Sequence, residues 1–216
     1  SSQFAGYIIS EAVGGSDACK GLRVLDMCAA PGGKTTIYST AVGECGLVVA
    51  NEYVRSRANI LADNVRKWGL GNVVVTNNAP EHIAAFEGSF DVVAVDAPCS
   101  GEGMFRKNTE EALGEWSEDN VALCAKRQAE ILEAATQMLK EGGRLVYSTC
   151  TFATAEDEGQ VCDYLQKKPE MRLVKQEKLY PHKMKGEGHF VALFKKKKKT
   201  ARRRLLKEKN SLATFL

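Results

Sequence analysis

The sequence predicts an α/β fold: a doubly wound, mostly parallel sheet of seven strands wrapped by helices. Two observations predict it. Short apolar runs alternate with longer segments of helical periodicity, the order that right-handed strand–helix–strand crossovers produce. The runs are apolar on both faces, as parallel strands covered by helices on each side must be.

Leu22-Arg23-Val24-Leu25-Asp26 is the first expected strand, and the glycine-bearing stretch behind it opens a helix. Leu47–Ala50 is the second. Val54–Trp68 then places Val54, Ala58, Leu61, Val65 and Trp68 on one apolar stripe, and Gly69 stops that helix. Val73–Val75 and Val92–Val95 are the third and fourth strands. A long helix over Asp119–Lys140 carries Ile131, Leu132, Ala135, Met138 and Leu139 on one side and is expected to end at Gly142-Gly143. Leu145–Tyr147 is the fifth strand. Thr154-Ala155-Glu156-Asp157 reads as the N-terminal cap of a helix running to Lys167. Met171–Gln176 and Phe190–Phe194 close the sheet, joined by a loop through Pro181 and Gly188.

Of the 216 residues, 44% are hydrophobic and 26% charged, the balance of one globular domain with a real core. The net charge of +3 is unevenly spread. Residues 195–216 hold ten basic side chains against the single Glu208, a net +9, which leaves −6 for residues 1–194. Two readings fit the tail: a phosphate-binding arm, or a solvated extension or linker. The start Ser1-Ser2-Gln3 lacks a basic and apolar leader, and no apolar run is long enough to span a bilayer. The expectation is therefore a cytoplasmic protein that keeps off the membrane, its seven cysteines reduced. No C-x-x-C pair occurs and the three histidines do not cluster with cysteines, which excludes a zinc site.

In a sheet of this kind the ligand binds beyond the carboxyl ends of the strands. The loop after the first strand, Asp26-Met27-Cys28-Ala29-Ala30-Pro31-Gly32-Gly33-Lys34-Thr35-Thr36, is rich in small residues and leads into a helix N-terminus, where backbone amides favour polar groups. A P-loop would need glycine where Cys28 stands, and the dinucleotide fingerprint is absent. A nucleoside cofactor remains. Glu52 ends the second strand 20 residues after Gly32, the distance at which a carboxylate reaches ribose hydroxyls. The alternative for Glu52 is a cap on the helix that starts at Val54. The fourth and fifth strands run into Asp96-Ala97-Pro98-Cys99-Ser100-Gly101-Glu102-Gly103 and Ser148-Thr149-Cys150-Thr151. Two cysteines thus fall at the sheet edge that carries the glycine loop, a preference that buried structural cysteines do not have.

Val24–Thr35, Asp96–Gly101 and Ser148–Cys150 together resemble the Sun-type RNA cytosine-5 methyltransferases, and Phe90–Lys107, Asn51–Arg57 and Leu179–Phe190 resemble their bacterial RsmF-like branch. The resemblance covers residues 21–194. It implies a class I S-adenosylmethionine-dependent methyltransferase fold, Rossmann-like, that forms 5-methylcytosine in RNA, ribosomal RNA ahead of transfer RNA. A monomer without metal is expected. By the same analogy Cys28, Ala29, Ala30, Pro31, Gly32, Gly33, Lys34, Glu52, Asn78 and Asp96 line S-adenosylmethionine, with Arg57 nearby. Asn78 stands where the family more generally has an acid.

The chemistry asks for a thiol. Carbon 5 of cytosine is a poor nucleophile until a thiolate adds to carbon 6. Spacing does not decide which cysteine attacks. The resemblance implies Cys150 as nucleophile and Cys99 in product release, with Asp96 holding the base and Lys34 polarising the site. It also implies an RNA-binding segment upstream, for which little room is left. Residues 1–20 are accordingly expected to be a remnant segment, 21–194 the catalytic domain and 195–216 a basic tail or linker, the whole an excised or shortened catalytic domain. A non-catalytic ribosome-assembly factor on the same fold is the competing class. Arg106-Lys107 and the cluster His182, Lys183 and Lys185 are candidate RNA contacts, or equally surface ion pairs. Trp68 and Trp116 are expected to pack in the core or between helices.

Overall fold

The computed structural model describes residues 7, 8, 10, 11, 13–79, 82, 86–105, 109, 110, 114, 116–183 and 186–198. Seven strands form one sheet: β1 (Arg23–Asp26), β2 (Leu47–Asn51), β3 (Val73–Thr76), β4 (Phe90–Asp96), β5 (Leu139–Thr149), β6 (Met171–Leu179) and β7 (His189–Lys196). Their order is β3-β2-β1-β4-β5-β7-β6. The first five pair in parallel, and β7 lies antiparallel between β5 and β6. Among the fully described elements, four helices lie against the sheet: α1 (Gly33–Val42), α2 (Arg55–Trp68), α3 (Glu118–Met138) and α4 (Glu158–Lys167).

Alternation along each strand divides the core in two. Leu25, Val93, Val95, Leu145 and Tyr147 face α3 and α4, meeting Ile131, Leu132, Ala135, Val161 and Tyr164. Val24, Val48, Val92 and Val146 point the other way, against Tyr38 and Val42 of α1, and Ala50 meets Leu61 and Val65 of α2. Burial on both faces is why these strands read as continuous apolar runs. The strand order reverses between β1 and β4 while the strands stay parallel, so the loops after β1, β2, β4 and β5 open at one edge around that switch point. Because β7 is antiparallel, its first residue, His189, lies at the same edge.

Several expectations need correction. Helix α3 ends at Met138, and Leu139 already pairs with Phe90. Gly142 and Gly143 do not stop a helix; they sit in an irregularity of β5, where the register to β4 jumps between Phe90 and Val92. Gly142 has φ +81°, and a Cβ on Gly143 would stand 2.9 Å from the Lys140 carbonyl oxygen. The stripe of α2 is buried only at Ala58, Leu61 and Val65, where the sheet lies beneath it. Trp68, in its last turn, is 68% exposed. Trp116 is also exposed and donates from Nε1 to Glu102 at 2.7 Å, so neither tryptophan packs in the core. Lys195 and Lys196, expected in the tail, belong to β7. The Lys196 ammonium donates to the carbonyls of Thr136 and Leu139 at 2.8 and 2.9 Å, a cation on the negative end of α3. Arg106, Lys107, Lys185 and residues 199–216 lie outside the described residues. Among the described residues, no helix is long and apolar enough to cross a membrane.

Candidate active site

The loop after β1 is pinned to the sheet on one side and to α2 on the other. Met27 and Ala29 donate to the carbonyls of Ala94 and Asn51, which extends the sheet register by one step on each side. From α2, Arg57 donates to the Ala30 carbonyl at 3.0 Å and Asn64 to the Pro31 carbonyl at 2.7 Å. Gly32 then turns the chain into α1 with φ +109°, a conformation open to glycine, and a Cβ there would press on Leu61 at 3.0 Å. Beneath the loop, Asp26 is buried and accepts from Thr35 Oγ1 at 2.7 Å. Burial pushes its carboxyl up to about 7, against the pull of that hydrogen bond.

A carboxyl raised in the folded state costs stability once it must ionise. The unfolded chain releases this proton near pH 4 and the folded chain near pH 7, so stability falls as pH rises between them. Asp26→Asn removes that loss while keeping an acceptor for Thr35. Thermal unfolding of both proteins from pH 4 to 8 should show the variant gaining on the original chain as pH rises, on the order of a few kcal/mol at the top. A difference independent of pH would contradict the assignment.

Glu52 follows β2 and is 4% exposed. Its Oε1 accepts from the Val54 amide at 3.0 Å, so the helix-capping reading is met by one oxygen. The other, Oε2, makes no hydrogen bond among the described residues and lies 3.6 Å from the Arg57 guanidinium. A buried carboxylate oxygen left without a donor is costly in a folded chain unless a ligand supplies one. The two readings of Glu52 are thus compatible: one oxygen for each. Asn78, after β3, is held by its backbone, which exchanges two 3.0 Å hydrogen bonds with the Asn51 amide. Asn77 donates to the carbonyls of Glu52 and Tyr53.

On the β4–β5 side, Asp96 accepts from the Lys34 ammonium at 2.5 Å and from Ser148 Oγ at 2.7 Å. Lys34 comes from the first turn of α1, and its side chain is 14% exposed. Beyond Asp96, the Cys99 and Cys150 sulfurs are 3.1 Å apart, and the Cys150 amide donates to Cys99 Sγ at 3.3 Å. The two thiols cannot both ionise at this separation. The two sulfurs share a hydrogen bond in which either can donate; it lowers the Cys150 pKa against the opposing pull of burial, while the same bond and burial raise Cys99. Cys28 is pushed up, first by burial and then by the charges of Asp26, Glu52 and Asp96, and stays a neutral thiol.

A buried polar brace holds the two cysteine loops together. The Glu156 carboxylate accepts from the Ser100 amide at 3.1 Å and from Gln128 at 2.7 Å, and Gln128 also donates to the Pro98 carbonyl. Ser100 and Thr151 hydroxyls are 2.8 Å apart. Asp157 accepts from Thr149 and pairs with Lys178 at 2.9 Å. Gly103 donates to the Cys150 carbonyl at 2.9 Å, and a Cβ there would stand 2.7 Å from the Gly188 carbonyl oxygen. Asp157 is the N-cap residue of α4, as the sequence of Thr154–Asp157 predicts, and its carbonyl accepts from the Val161 amide, but neither acid caps through its side chain. Both side chains are buried tie-points.

The edge thus brings together Lys34, Asp96, Cys99 and Cys150, with Cys28–Gly33, Glu52, Arg57 and Asn78 on the β1–β3 side. Sequence reasoning missed Ser148, Asn51, Gln128, Glu156 and His189. His189 is 2% exposed, its Nε2 lacks a partner among the described residues, and burial lowers its pKa to about 4. Ser148 could have been found by counting alternation, since it ends the face of β5 that carries Val146. The others lie outside any local pattern. Among the described residues, no group of three or more His, Cys, Asp or Glu could hold a metal ion.

The model of the family described as 16S rRNA methyltransferase RsmB/F matches residues 18–195. The chain belongs to this family. Ribosomal RNA small subunit methyltransferase F of Shewanella denitrificans is 43% identical over 145 residues, 67% of this chain and 28% of the relative. The protein of the same name from Erwinia tasmaniensis is 37% identical over 194 residues, 81% of this chain and 40% of the relative. The crystal structure of NSun6 from Pyrococcus horikoshii with SFG superposes with a TM-score of 0.76 at 27% identity, covering 90% of this chain and 52% of that one. The chain spans less than half the length of these curated relatives. Membership agrees with the RsmF-like resemblance and with the class I methyltransferase sheet.

Proposed function

We propose that this chain is the catalytic domain, residues 21–194, of an S-adenosylmethionine-dependent methyltransferase that forms 5-methylcytosine in ribosomal RNA. The observation that carries the reading is the pair of sulfurs 3.1 Å apart beside the Lys34–Asp96 ion pair. An assembly factor without turnover has no use for either arrangement. Support for the cofactor comes from the orphaned Glu52 Oε2, an acceptor suited to a ribose hydroxyl, and from the loop Cys28–Gly33 at the N-terminus of α1. Arg57 and Asn78 border that space.

When bound, S-adenosylmethionine supplies an electrophilic methyl group. The protein's work is on the base. The Cys150 thiolate bonds to carbon 6 of cytosine, and the electron pair of the 5,6 double bond moves toward carbon 5 and the ring nitrogen. Asp96, held by Lys34 and Ser148, accepts from the exocyclic amine and from the ring nitrogen once that nitrogen takes up a proton from solvent, which holds that density. Carbon 5 is then nucleophilic enough to be methylated. A base takes the carbon-5 proton, the pair of that C–H bond restores the 5,6 double bond, and the carbon 6–sulfur bond breaks to expel Cys150 as thiolate. Cys99, hydrogen-bonded to that sulfur, stabilises it as it leaves, which gives the second cysteine its part in product release.

Glu52→Gln keeps the bond to Val54 and loses the charge. Its affinity for S-adenosylhomocysteine should fall about 10- to 100-fold by calorimetry, the range of a charged hydrogen bond. Unchanged affinity would remove Glu52 from the cofactor site. The function itself is tested by bisulfite sequencing of total RNA from cells with and without the gene. Loss of one ribosomal cytosine's protection supports the reading. Loss confined to transfer RNA would move the substrate, and no loss at all would overturn the activity.

A further inference from the structure

The cysteine pair supports a second chemistry that methyl transfer does not use. Both sulfurs are half-buried at an open sheet edge, and the loops that carry them are cross-braced by Ser100–Thr151 and Gly103–Cys150 hydrogen bonds. They therefore stay within reach of each other. A disulfide needs about 2.05 Å between sulfurs, so closure asks for about 1 Å from the 3.1 Å observed. No other two cysteine sulfurs touch among the described residues, and Cys45 and Cys162 are exposed but alone.

We infer that Cys99 and Cys150 form an oxidative modification site, at which one equivalent of a peroxide joins them in a reversible intramolecular disulfide. In the first step the Cys150 thiolate attacks one peroxide oxygen, the O–O bond breaks, and sulfenic acid and hydroxide result. In the second the Cys99 sulfur attacks the Cys150 sulfenic sulfur, its proton leaves with the departing hydroxyl as water, and the S–S bond forms. The two thiols lose two electrons together and the peroxide gains them. The hydrogen bond between the sulfurs, 3.1 Å apart, holds the Cys150 pKa down and favours it as the first to react, because the thiolate is the nucleophile. Cys28, nearby but neutral, does not compete. The disulfide blocks overoxidation of Cys150, and a dithiol reductant reopens it. Its silencing of methyl transfer rests on the function proposed above; the cross-link itself does not.

The test uses the full chain carrying Cys45→Ser and Cys162→Ser, treated with one equivalent of hydrogen peroxide. Intact mass should fall by two hydrogens, two fewer thiols should take N-ethylmaleimide, and a peptide joining Cys99 to Cys150 should appear. Dithiothreitol should restore all three readings, and a further Cys99→Ser change should abolish the joined peptide. Sulfinic acid at Cys150 with Cys99 still alkylated, or both thiols untouched, would overturn the inference. If the cross-link forms but the reduced chain methylates no RNA, the site stands and the proposed function falls.

Discussion

Cys150→Ala should abolish methyl transfer to RNA and yield no covalent protein–RNA species, whereas Cys99→Ala should accumulate that species. The loss in Cys150→Ala should be on the order of 10⁴-fold or more, since removing a nucleophile leaves only binding and positioning. Both variants should fold, because each replaces a half-buried side chain by a smaller one and leaves the Glu156 brace in place. The asymmetry is the informative part. In the attack step Cys99 stabilises a thiolate that already exists; in the release step it stabilises the leaving group, without which the adduct persists. Denaturing gels of each variant with cellular ribosomal RNA check it. Adducts in Cys150→Ala and none in Cys99→Ala would exchange the two roles.

Asp96→Asn and Lys34→Met should each lower single-turnover methyl transfer by about 10²- to 10⁴-fold, the range of a positioned acid or base. The two side chains act as a unit, held 2.5 Å apart with the lysine largely out of water. Asp96→Asn leaves that ammonium without its counter-charge, and Lys34→Met frees the carboxylate to turn away from the base. The double variant should therefore lose no more than the worse single one. Losses that multiply would mean independent roles.

The fold was legible because the strands are buried on both faces and so read as apolar runs, and because Gly69 marks the end of α2. The end of α3 was not. Gly142 and Gly143 carry the signal of a helix stop, but the residues before them already pair with β4, and long-range strand pairing outweighed the local signal. Likewise the Glu156-Asp157 pair has the composition of a cap, and Asp157 is one by its backbone, while tertiary burial assigns both side chains to the cysteine loops. The positions of Cys28–Lys34, Glu52, Asp96, Cys99 and Cys150 at one edge were legible from where each strand stops. Their contacts were not: Cys99 and Cys150 are 51 residues apart in sequence, and nothing local sets their separation. His189 illustrates the limit, since it reaches the edge only because β7 runs antiparallel.

In the proposed mechanism Cys150 bonds covalently to carbon 6 of a ribosomal cytosine. The direct measurement is to trap the unaltered chain on ribosomal RNA transcribed with 5-fluorocytosine, whose carbon–fluorine bond blocks release, in the presence of S-adenosylmethionine. Nuclease and protease digestion followed by mass spectrometry then identifies the modified peptide. A methylated fluorocytidine on the peptide containing Cys150, with Cys99 unmodified, is the expected result. The nucleotide on Cys99, or no protein-bound nucleotide at all, would contradict the mechanism.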